Sequence, residues 1–345
     1  MNARVVAWGA GRVALAIAVV GSWGGPVVTD AHAQEPPPAG GVTGPTCVLK
    51  GSHPVSKGTQ IFDAQTGGRA IANFTGAFVT MQMSDIPADP TAGRAKLSTA
   101  GVRIDGYVPV SSVNVFTLRD LSVSSGHIWI SSAQKVKLAR AAANSLTAEL
   151  VIAGSQNQAV RATAPCDAFS LTKGTPTAME ISGSARGYLM KSATLDLYET
   201  AGGDAIFTLK MHEGTGQLFW STESKNGFVH VVSRGDVTID AWARWRDLEA
   251  LKKGELLDQL IPPSSGVTGA QLTLDKPPAI VKATKEIPIR IRRDEKEKPI
   301  GVIEVNAEVY VLETIAGWTN VLPKTLGITP PDDGGFWIPS GEVPK

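Results

Sequence analysis

Apolar and polar residues alternate in short runs through the stretch from Leu195 to Leu248. Alternation with a period of two is typical of a strand that buries one side, and the Gly-Gly and Asn-Gly pairs between the runs mark hairpin turns. The pattern predicts five strands in this stretch: Leu195–Glu199, Ala205–Met211, Leu218–Ser221, Phe228–Val232 and Val237–Asp240. Five short strands joined by tight turns indicate a small closed β-barrel.

The last run of this stretch has counterparts elsewhere in the chain. Similar closing phrases, each a strand-like run that leads to a large apolar residue, end near residues 113, 171, 248 and 343. Recurrence at the spacing of a small domain indicates an internal repeat. We therefore predict four units, at 47–113, 114–180, 188–262 and 285–345. The second unit is degenerate, and its Ala143-Asn144-Ser145 stretch is equally compatible with the end of a helix.

A different periodicity follows the third closing phrase. Large apolar residues recur there at steps of three or four, which is the spacing of one helix face; they include Trp242, Trp245, Leu248, Leu251, Leu257 and Leu260. The spacing predicts a short amphipathic helix near 242–261. Pro262 and Pro263 would end this helix, and residues 263–284 are predicted to be a linker.

The N-terminus has the pattern of a cleavable signal peptide. Arg4 and Arg12 precede or flank an apolar core at 13–21, and Ala31-His32-Ala33 provides the small residues of a cleavage site. We predict a signal peptide at 1–33, a disordered leader rich in Pro and Gly at 34–46, and a periplasmic or extracellular location. The alternative is a cytosolic protein with an apolar N-terminus. No later stretch is long and apolar enough to predict a membrane span after signal cleavage.

Charge and cysteine content add to this interpretation. The formal net charge of +1 provides no electrostatic attraction to nucleic acid, so we expect no nucleic-acid partner. The two cysteines, Cys47 and Cys166, both remain after cleavage, and an exported chain with two cysteines favours one disulfide. Two unpaired buried thiols are the alternative.

The closing phrases also resemble a known family. Tyr107-Val108-Pro109 and Trp337-Ile338-Pro339, with the residues that follow them, are similar to the ending of bacterial SH3-like domains, and Trp318-Thr319-Asn320-Val321 resembles the strand before that ending. The C-terminal unit matches best and the second unit worst. The resemblance implies an all-β chain of tandem five-stranded SH3-like barrels, found in exported proteins that bind cell-wall peptides or other envelope partners.

The aromatic residues of the closing phrases have two interpretations. Tyr107, Trp242 and Trp337 could plug the cores of the barrels, which is the role that the bend after each aromatic favours. They could instead form a flat platform on which a ligand stacks. We expect the core role for Trp242 and Trp337.

Catalytic and cofactor chemistry lacks a recognisable pattern in the sequence. His53, His127, His212 and His230 have no metal-ligand spacing, and no nucleophile motif or phosphate-binding loop occurs. We therefore predict a protein that is not an enzyme, with no catalytic residues, no metal and no cofactor. The alternatives are an enzyme with a dispersed site on a β-barrel scaffold and a purely structural surface protein.

The unit from Leu195 to Leu248 is the best candidate for a ligand site because it carries the most aromatic surface. Five aromatic residues in one small barrel cannot all be buried, and exposed flat rings can stack on a ligand at little cost in rotamer entropy. The candidate ligand is a cell-wall peptide, peptidoglycan or an envelope protein, and the predicted binding residues are Tyr198, Trp220, Phe228, Trp242 and Trp245. The alternative is that these rings pack against the helix that follows.

Overall fold

A computed structural model describes residues 47–124, 126–212, 217–251 and 278–343. The predicted signal peptide at 1–33 and leader at 34–46 lie outside the described residues. So do residues 252–277, which include the second half of the predicted helix and most of the predicted linker. The fold is all-β, as predicted, and no helix in the described residues is longer than a three-residue 3₁₀ turn.

The strands fall into four successive segments, each of which has one 3₁₀ turn at or near its end. The first segment contains β1 (Leu49–Pro54), β2 (Gln60–Phe62), β3 (Ala70–Phe74), β4 (Phe78–Ser84), β5 (Arg94–Thr99), β6 (Val102–Pro109) and the turn η1 (Val110–Ser112). The second contains β7 (Val115–Thr117), β8 (Leu121–Ser124), β9 (Ile128–Ile130), β10 (Lys135–Ala142), β11 (Ser145–Val151), β12 (Ala159–Pro165), η2 (Cys166–Ala168) and β13 (Phe169–Ser170).

The other two segments follow the same sequence of elements. The third contains β14 (Arg186–Met190), β15 (Thr194–Tyr198), β16 (Ala205–Lys210), β17 (Leu218–Lys225), β18 (Phe228–Arg234), β19 (Val237–Arg244), η3 (Trp245–Asp247) and β20 (Leu248–Ala250). The fourth contains β21 (Ala279–Lys282), β22 (Ile287–Ile289), β23 (Gly301–Ile303), β24 (Glu308–Ile315), β25 (Trp318–Pro323), β26 (Ile328–Thr329), β27 (Trp337–Pro339) and η4 (Ser340–Glu342).

One strand order recurs in all four segments. The four orders are β1-β4-β5-β6, β7-β10-β11-β12, β14-β17-β18-β19 and β21-β24-β25-β27. Every closing phrase identified in the sequence forms the last strand of its segment and the 3₁₀ turn after it. In each turn the first residue accepts a hydrogen bond from the backbone N–H that follows the turn. These shared features support the internal repeat.

Two segments donate a hairpin to another segment. The β8–β9 hairpin pairs with β19, and the β22–β23 hairpin pairs with β6. We call the resulting nine-stranded sheets the β6 sheet (β1–β6, β22, β23 and β26) and the β19 sheet (β8, β9 and β14–β20). Part of the free edge of β6 and of β19 is thus taken by strands from elsewhere in the chain. Within the described residues no sheet closes into a barrel, contrary to the simplest form of the sequence prediction.

The predicted helix near 242–261 is wrong where the structure describes it. Trp242 lies in β19, Trp245 begins η3, and Leu248 begins β20, which pairs with β14. A 3₁₀ turn has three residues per turn, so a strand, such a turn and a second strand reproduce the three-residue spacing of these side chains. The end of the predicted linker also differs, because Ala279–Lys282 is a strand that pairs with β24.

Alternation along the last strands decides which residues form the core. In β19 the side chains of Val237, Ile239, Ala241 and Ala243 are buried, and the residues between them face outward. Trp242 is therefore half-buried on the outer side of the sheet. In the same way Tyr107 and Trp337 are half-buried next to the fully buried Val108 and Ile338. The expected core plugs are thus the neighbours of these aromatics, not the aromatics themselves.

The predicted disulfide is confirmed. Cys47 and Cys166 are bonded, with their Cα atoms 5.4 Å apart, which is an ordinary separation for a disulfide. The bond joins the chain just before β1 to the turn η2, so it connects the first and second segments. A disulfide is compatible with an exported protein.

Candidate ligand-binding face

Aromatic side chains gather on the outer side of the β19 sheet. Residues directly opposite each other on antiparallel strands lie on the same side of a sheet. Trp242 is opposite His230, Phe228 is opposite Arg244, and Trp129 is opposite Thr238. Trp220 joins them because it is opposite Val232, which is itself opposite Asp240. We call this set the aromatic face; its members are Trp129, Trp220, Phe228, His230, Asp240, Trp242 and Arg244.

A histidine–carboxylate pair lies at the centre of the aromatic face. His230 Nε2 is 2.6 Å from Asp240 Oδ1, and the His230 ring is 5.2 Å from the Trp242 ring at an angle of 43°. The hydrogen bond and the ring contact hold His230 from two sides. Asp240 keeps a second carboxylate oxygen that can accept a hydrogen bond from a hydroxyl or amide of a ligand.

A second histidine fixes the neighbouring strand. His127 Nδ1 is 2.8 Å from the backbone oxygen of Asp240. A carbonyl oxygen can only accept a hydrogen bond, so Nδ1 of His127 carries the proton. Its Nε2 lies 3.8 Å from Glu199 Oε1. These contacts tie the donated β9 to β19 and so position Trp129 beside the rest of the aromatic face.

Tyr198 lies on the same side of the sheet as the aromatic face, since it is opposite Trp242, and it is covered by its neighbours there. Its side chain is only 5% exposed, and its ring packs edge-on against Phe228 with centroids 5.2 Å apart. The guanidinium of Arg244 lies 5.1 Å from the Tyr198 ring centroid, within cation–π range. Tyr198 therefore orients Phe228 and Arg244 and offers little surface to a ligand.

The other predicted site residues are more accessible. Trp220, Phe228 and Trp242 are half-buried, and Trp245, in η3, is 59% exposed. The β19 sheet thus brings Trp220, Phe228 and Trp242 onto one side, with the covered Tyr198 beside Phe228 on the same side and Trp245 just beyond the end of β19. The expected seam between these rings and a following helix is absent as far as Leu251, where the described part of this segment ends.

A groove of about 700 Å³ begins at Trp220. One wall is formed by Trp220 and Leu218 on β17, and the other by the extended chain that carries Met179 and Ile181. Arg234 lies in the groove, where its Nη2 donates to Asp120 Oδ1 at 2.6 Å and to Ser132 Oγ at 3.2 Å. Apolar walls with a few fixed polar groups are typical of sites that bind small molecules or chain segments.

The extended chain over this groove is held by Ser132. The backbone N–H of Thr177 donates to Ser132 Oγ at 3.0 Å, and the Thr177 hydroxyl lies 3.0 Å from the same atom. On the opposite side Gln217 Nε2 donates to Ser233 Oγ at 2.6 Å. The groove is therefore bounded on both sides by hydrogen-bonded chain, and an extended ligand could lie along it.

Sequence reasoning missed Trp129, His230 and Asp240 as members of the site. Each sits at an outward position of an alternating run, so the pattern places its side chain on the solvent side of a strand. The pattern does not reveal that β9, from the second segment, pairs with β19 in the third. Only that pairing brings Trp129 to the aromatic face.

In the described ranges no three or more His, Cys, Asp or Glu side chains are grouped so that they could hold a metal ion. The short 3₁₀ turns of those ranges include no helix with the length and apolar character needed to cross a membrane.

Comparison with known proteins gives little. No protein-family model matches the chain, and no curated protein matches it either. A solved structure of NlpC2 from Trichomonas vaginalis is similar in part, with 13% sequence identity over 48% of this chain and a TM-score of 0.17. The chain spans about half the length of that protein, since the match covers 49% of it. A similarity this weak supports no statement about fold or function.

Proposed function

We propose that this is an exported, non-enzymatic protein of tandem SH3-like units whose aromatic face binds a cell-wall peptide, peptidoglycan or an envelope protein. The signal-peptide pattern at 1–33 and the disulfide support export. The fourfold recurrence of one strand order, each time closed by a 3₁₀ turn, supports related small units. The aromatic face supports binding.

The observation that carries the proposal is the outward position of Trp129, Trp220 and Trp242 on one sheet. Large aromatic side chains usually bury their rings, and these stand on the side of the sheet away from the core. The centre of the same face holds the His230–Asp240 pair, which can exchange hydrogen bonds with amides or hydroxyls. Rings for stacking beside polar groups for orientation suit a sugar or an extended peptide.

The test is binding of the full-length mature protein to purified peptidoglycan sacculi, followed by tryptophan fluorescence titration with soluble peptidoglycan fragments. Trp220→Ala and Trp245→Ala should each weaken binding several-fold, because each removes a ring at which a ligand can stack. Phe78→Ala is the matched control. Phe78 is 67% exposed on β4, in the β6 sheet, and its loss should leave binding unchanged.

Three results would contradict the proposal. Failure of the folded protein to bind sacculi or fragments would favour the purely structural surface protein. Binding that Phe78→Ala and Trp220→Ala reduce equally would show that the aromatic face has no special part in it. Turnover of the fragments, detected as a change in their mass, would instead favour an enzyme with a dispersed site.

A further inference from the structure

The second segment presents a basic surface on the outer side of β10, β11 and β12. Lys137 is opposite Glu149, which is opposite Arg161, and Arg140 is opposite Thr147, which is opposite Thr163. These residues therefore lie in two adjacent rows on one side of the sheet. They surround a shallow groove of about 430 Å³, which Thr91 borders from the first segment. We call this the basic groove.

A β-bulge places one of the cations in the basic groove. Along β10 the side chains of Val136 and Leu138 are buried and that of Lys137 is exposed, so strict alternation would turn Arg140 toward the core. The register shifts between Leu138 and Arg140. An extra residue on one strand reverses the side to which the following side chains point. Arg140 is therefore exposed, and Ala141 takes the buried position.

The charges of the basic groove are only partly neutralised. Arg161 donates to Glu149 through Nε at 2.7 Å, with Nη2 at 2.6 Å from the same carboxylate oxygen. Lys137 and Arg140 form no ion pair with a carboxylate in the described residues. The hydroxyls of Thr147 and Thr163 are 2.9 Å apart and lie beside Arg140 in the row. Two free cations, a third with one partner and two hydroxyls are thus displayed together.

We propose that the basic groove binds an acidic polymer whose carboxylate or phosphate groups are separated by hydroxyl-bearing units. Lys137 and Arg140 would bind the anionic groups, and the threonine hydroxyls and Glu149 would exchange hydrogen bonds with neighbouring hydroxyls. The basic groove lies on an open side of the sheet and extends across β10, β11 and β12, so an extended polymer can lie in it. This site is on a different sheet from the aromatic face, and the proposal does not depend on the one made above.

Two other classes of polyanion fit the surface less well. Binding to a lipid surface needs apolar side chains beside the cations, and the neighbours of Arg140 on this side are Thr147 and Thr163. Binding to single-stranded nucleic acid uses aromatic rings between the cations, and the outward residues of β10, β11 and β12 include no aromatic ring.

The test measures the affinity of the full chain for polygalacturonate, which carries carboxylates on hydroxyl-bearing sugar units, and for poly(glycerol phosphate), which carries phosphates between hydroxyl-bearing glycerol units, at low and high salt. Either polymer should bind at low salt and be released at high salt, because exposed charges are screened. The polymer that binds better identifies the anionic group. Lys137→Gln and Arg140→Gln should each weaken binding by roughly tenfold, the ratio expected for one charge-assisted hydrogen bond.

Lys225→Gln is the matched control, since Lys225 is an exposed cation on β17, in the β19 sheet. It should leave the affinity unchanged. Arg140→Lys keeps the charge at the bulge and should retain most of the binding, which separates loss of charge from loss of fold. Absence of binding to both polymers, an equal effect of Lys225→Gln, or binding confined to anionic lipid vesicles or DNA would overturn the proposal.

Discussion

The β6 sheet and the β19 sheet are built alike. Their last strands, β6 and β19, have eight residues each, alternate between buried and outward side chains, and lead into a 3₁₀ turn. Each accepts a donated hairpin at its first three residues, where Ile303 is opposite Val102 in one sheet and Ile130 is opposite Val237 in the other. The two sheets therefore share a plan down to the register of the guest strand.

The likeness extends to the aromatic pair near the end of each strand. Tyr107 is opposite Phe62 in the β6 sheet, and Trp242 is opposite Tyr198 at the matching place in the β19 sheet. In both sheets an arginine lies over the ring of the residue opposite this aromatic. Arg94 is 3.4 Å from the Phe62 ring centroid, and Arg244 is 5.1 Å from the Tyr198 ring centroid. The β2–β3 pairing shifts register at Phe62, and the β15–β16 pairing shifts register at Tyr198, which is the matching residue.

The outward positions differ, and they give each sheet its role. On β6 Arg103 forms ion pairs with Glu304 at 3.4 Å and Glu286 at 3.9 Å, so its outer side joins the first segment to the fourth. On β19 the outward positions carry Asp240 and Trp242, which face a surface open to a ligand. The comparison teaches that inward residues specify the shared plan and that outward residues decide whether the outer side of a sheet forms ion pairs with a neighbouring segment or carries aromatic side chains.

The largest expected effect comes from breaking the disulfide, which ties the start of the β6 sheet to η2 of the second segment and has no counterpart at the β19 sheet. Cys47 and Cys166 are 119 residues apart in sequence, and closing a loop of that length restricts the unfolded chain strongly. Cys166→Ala should lower the free energy of unfolding by about 4–5 kcal/mol on the chain-entropy model. Denaturant unfolding measures the change. Cys47→Ala/Cys166→Ala should not respond to reductant, whereas a wild-type protein equally indifferent to reductant would contradict the prediction.

A smaller loss of unfolding free energy is expected from substitutions in the two donated hairpins, and its cause should differ between them. Gly301 and Ile128 occupy matching places, opposite Ile104 and Ile239. A Cβ at Gly301 would collide with the backbone oxygen of Arg103, so Gly301→Ala should cost about 3 kcal/mol by pushing β23 from β6. Ile128→Ala should cost a similar roughly 2–5 kcal/mol for the opposite reason, a cavity in the core.

Thermal or denaturant unfolding of both variants checks this pair of predictions. Gly183→Ala is the control, because its Cβ would meet no atom within 4 Å. A Gly301→Ala protein as stable as the control would mean that the β22–β23 hairpin can shift without loss, and the matched register of the two sheets would then have no energetic meaning.

The smallest expected effect is a loss of unfolding free energy at acidic pH, and it arises from a difference between β1 and β14. β1 buries His53 opposite Val79, where β14 buries Tyr188 opposite Phe219. Burial lowers the pKa of His53 below its usual 6.5, a contact with the Leu171 backbone raises it, and the charge of Lys135 lowers it. The unfolded chain therefore takes up a proton before the folded chain does. The stability that His53 supports is fully present above about pH 6.5 and is lost as pH falls below it.

Denaturant unfolding between pH 7 and pH 5 measures this loss. His53→Gln should flatten the decline in unfolding free energy with falling pH, whatever its effect at neutral pH. His212→Gln, a change at an exposed histidine, should leave the decline as it is in the wild type. A slope that His53→Gln does not alter would mean that the imidazole of His53 is protonated equally in both states.

Local pattern predicted much of this structure because strands, turns and the closing phrases are local features. The Asn226-Gly227 turn indicates the β17–β18 hairpin, and the alternation from Val237 onward indicates β19; both are observed. The disulfide was predicted because the chain has two cysteines and an N-terminus with the pattern of a signal peptide. The helix was wrong because Trp242, Trp245 and Leu248 have a spacing that a helix face shares with a strand, a 3₁₀ turn and another strand.

The rest depends on pairings between distant strands, which alternation does not encode. β9 and β23 are both three-residue strands with buried ends and a less buried middle residue, and nothing local tells which strand each will join. Three of the seven members of the aromatic face, Trp220, Phe228 and Trp242, were therefore recognised from composition, and Trp129 was not. The bulge that exposes Arg140 was missed for a related reason, since a bulge is defined only against the partner strand β11.

One donated hairpin precedes the strand with which it pairs in the sequence, and the other follows it: β8–β9 come before β19, and β22–β23 come after β6. A ribosome makes β8–β9 before β19, so the third segment finds its guest strand already present when its own last strand emerges. It makes β22–β23 long after β6. Until then the start of β6 has an unpaired edge, which is a place where another chain can attach. The first segment to be synthesised is thus among the last to be finished, and its folding waits on the C-terminal part of the chain.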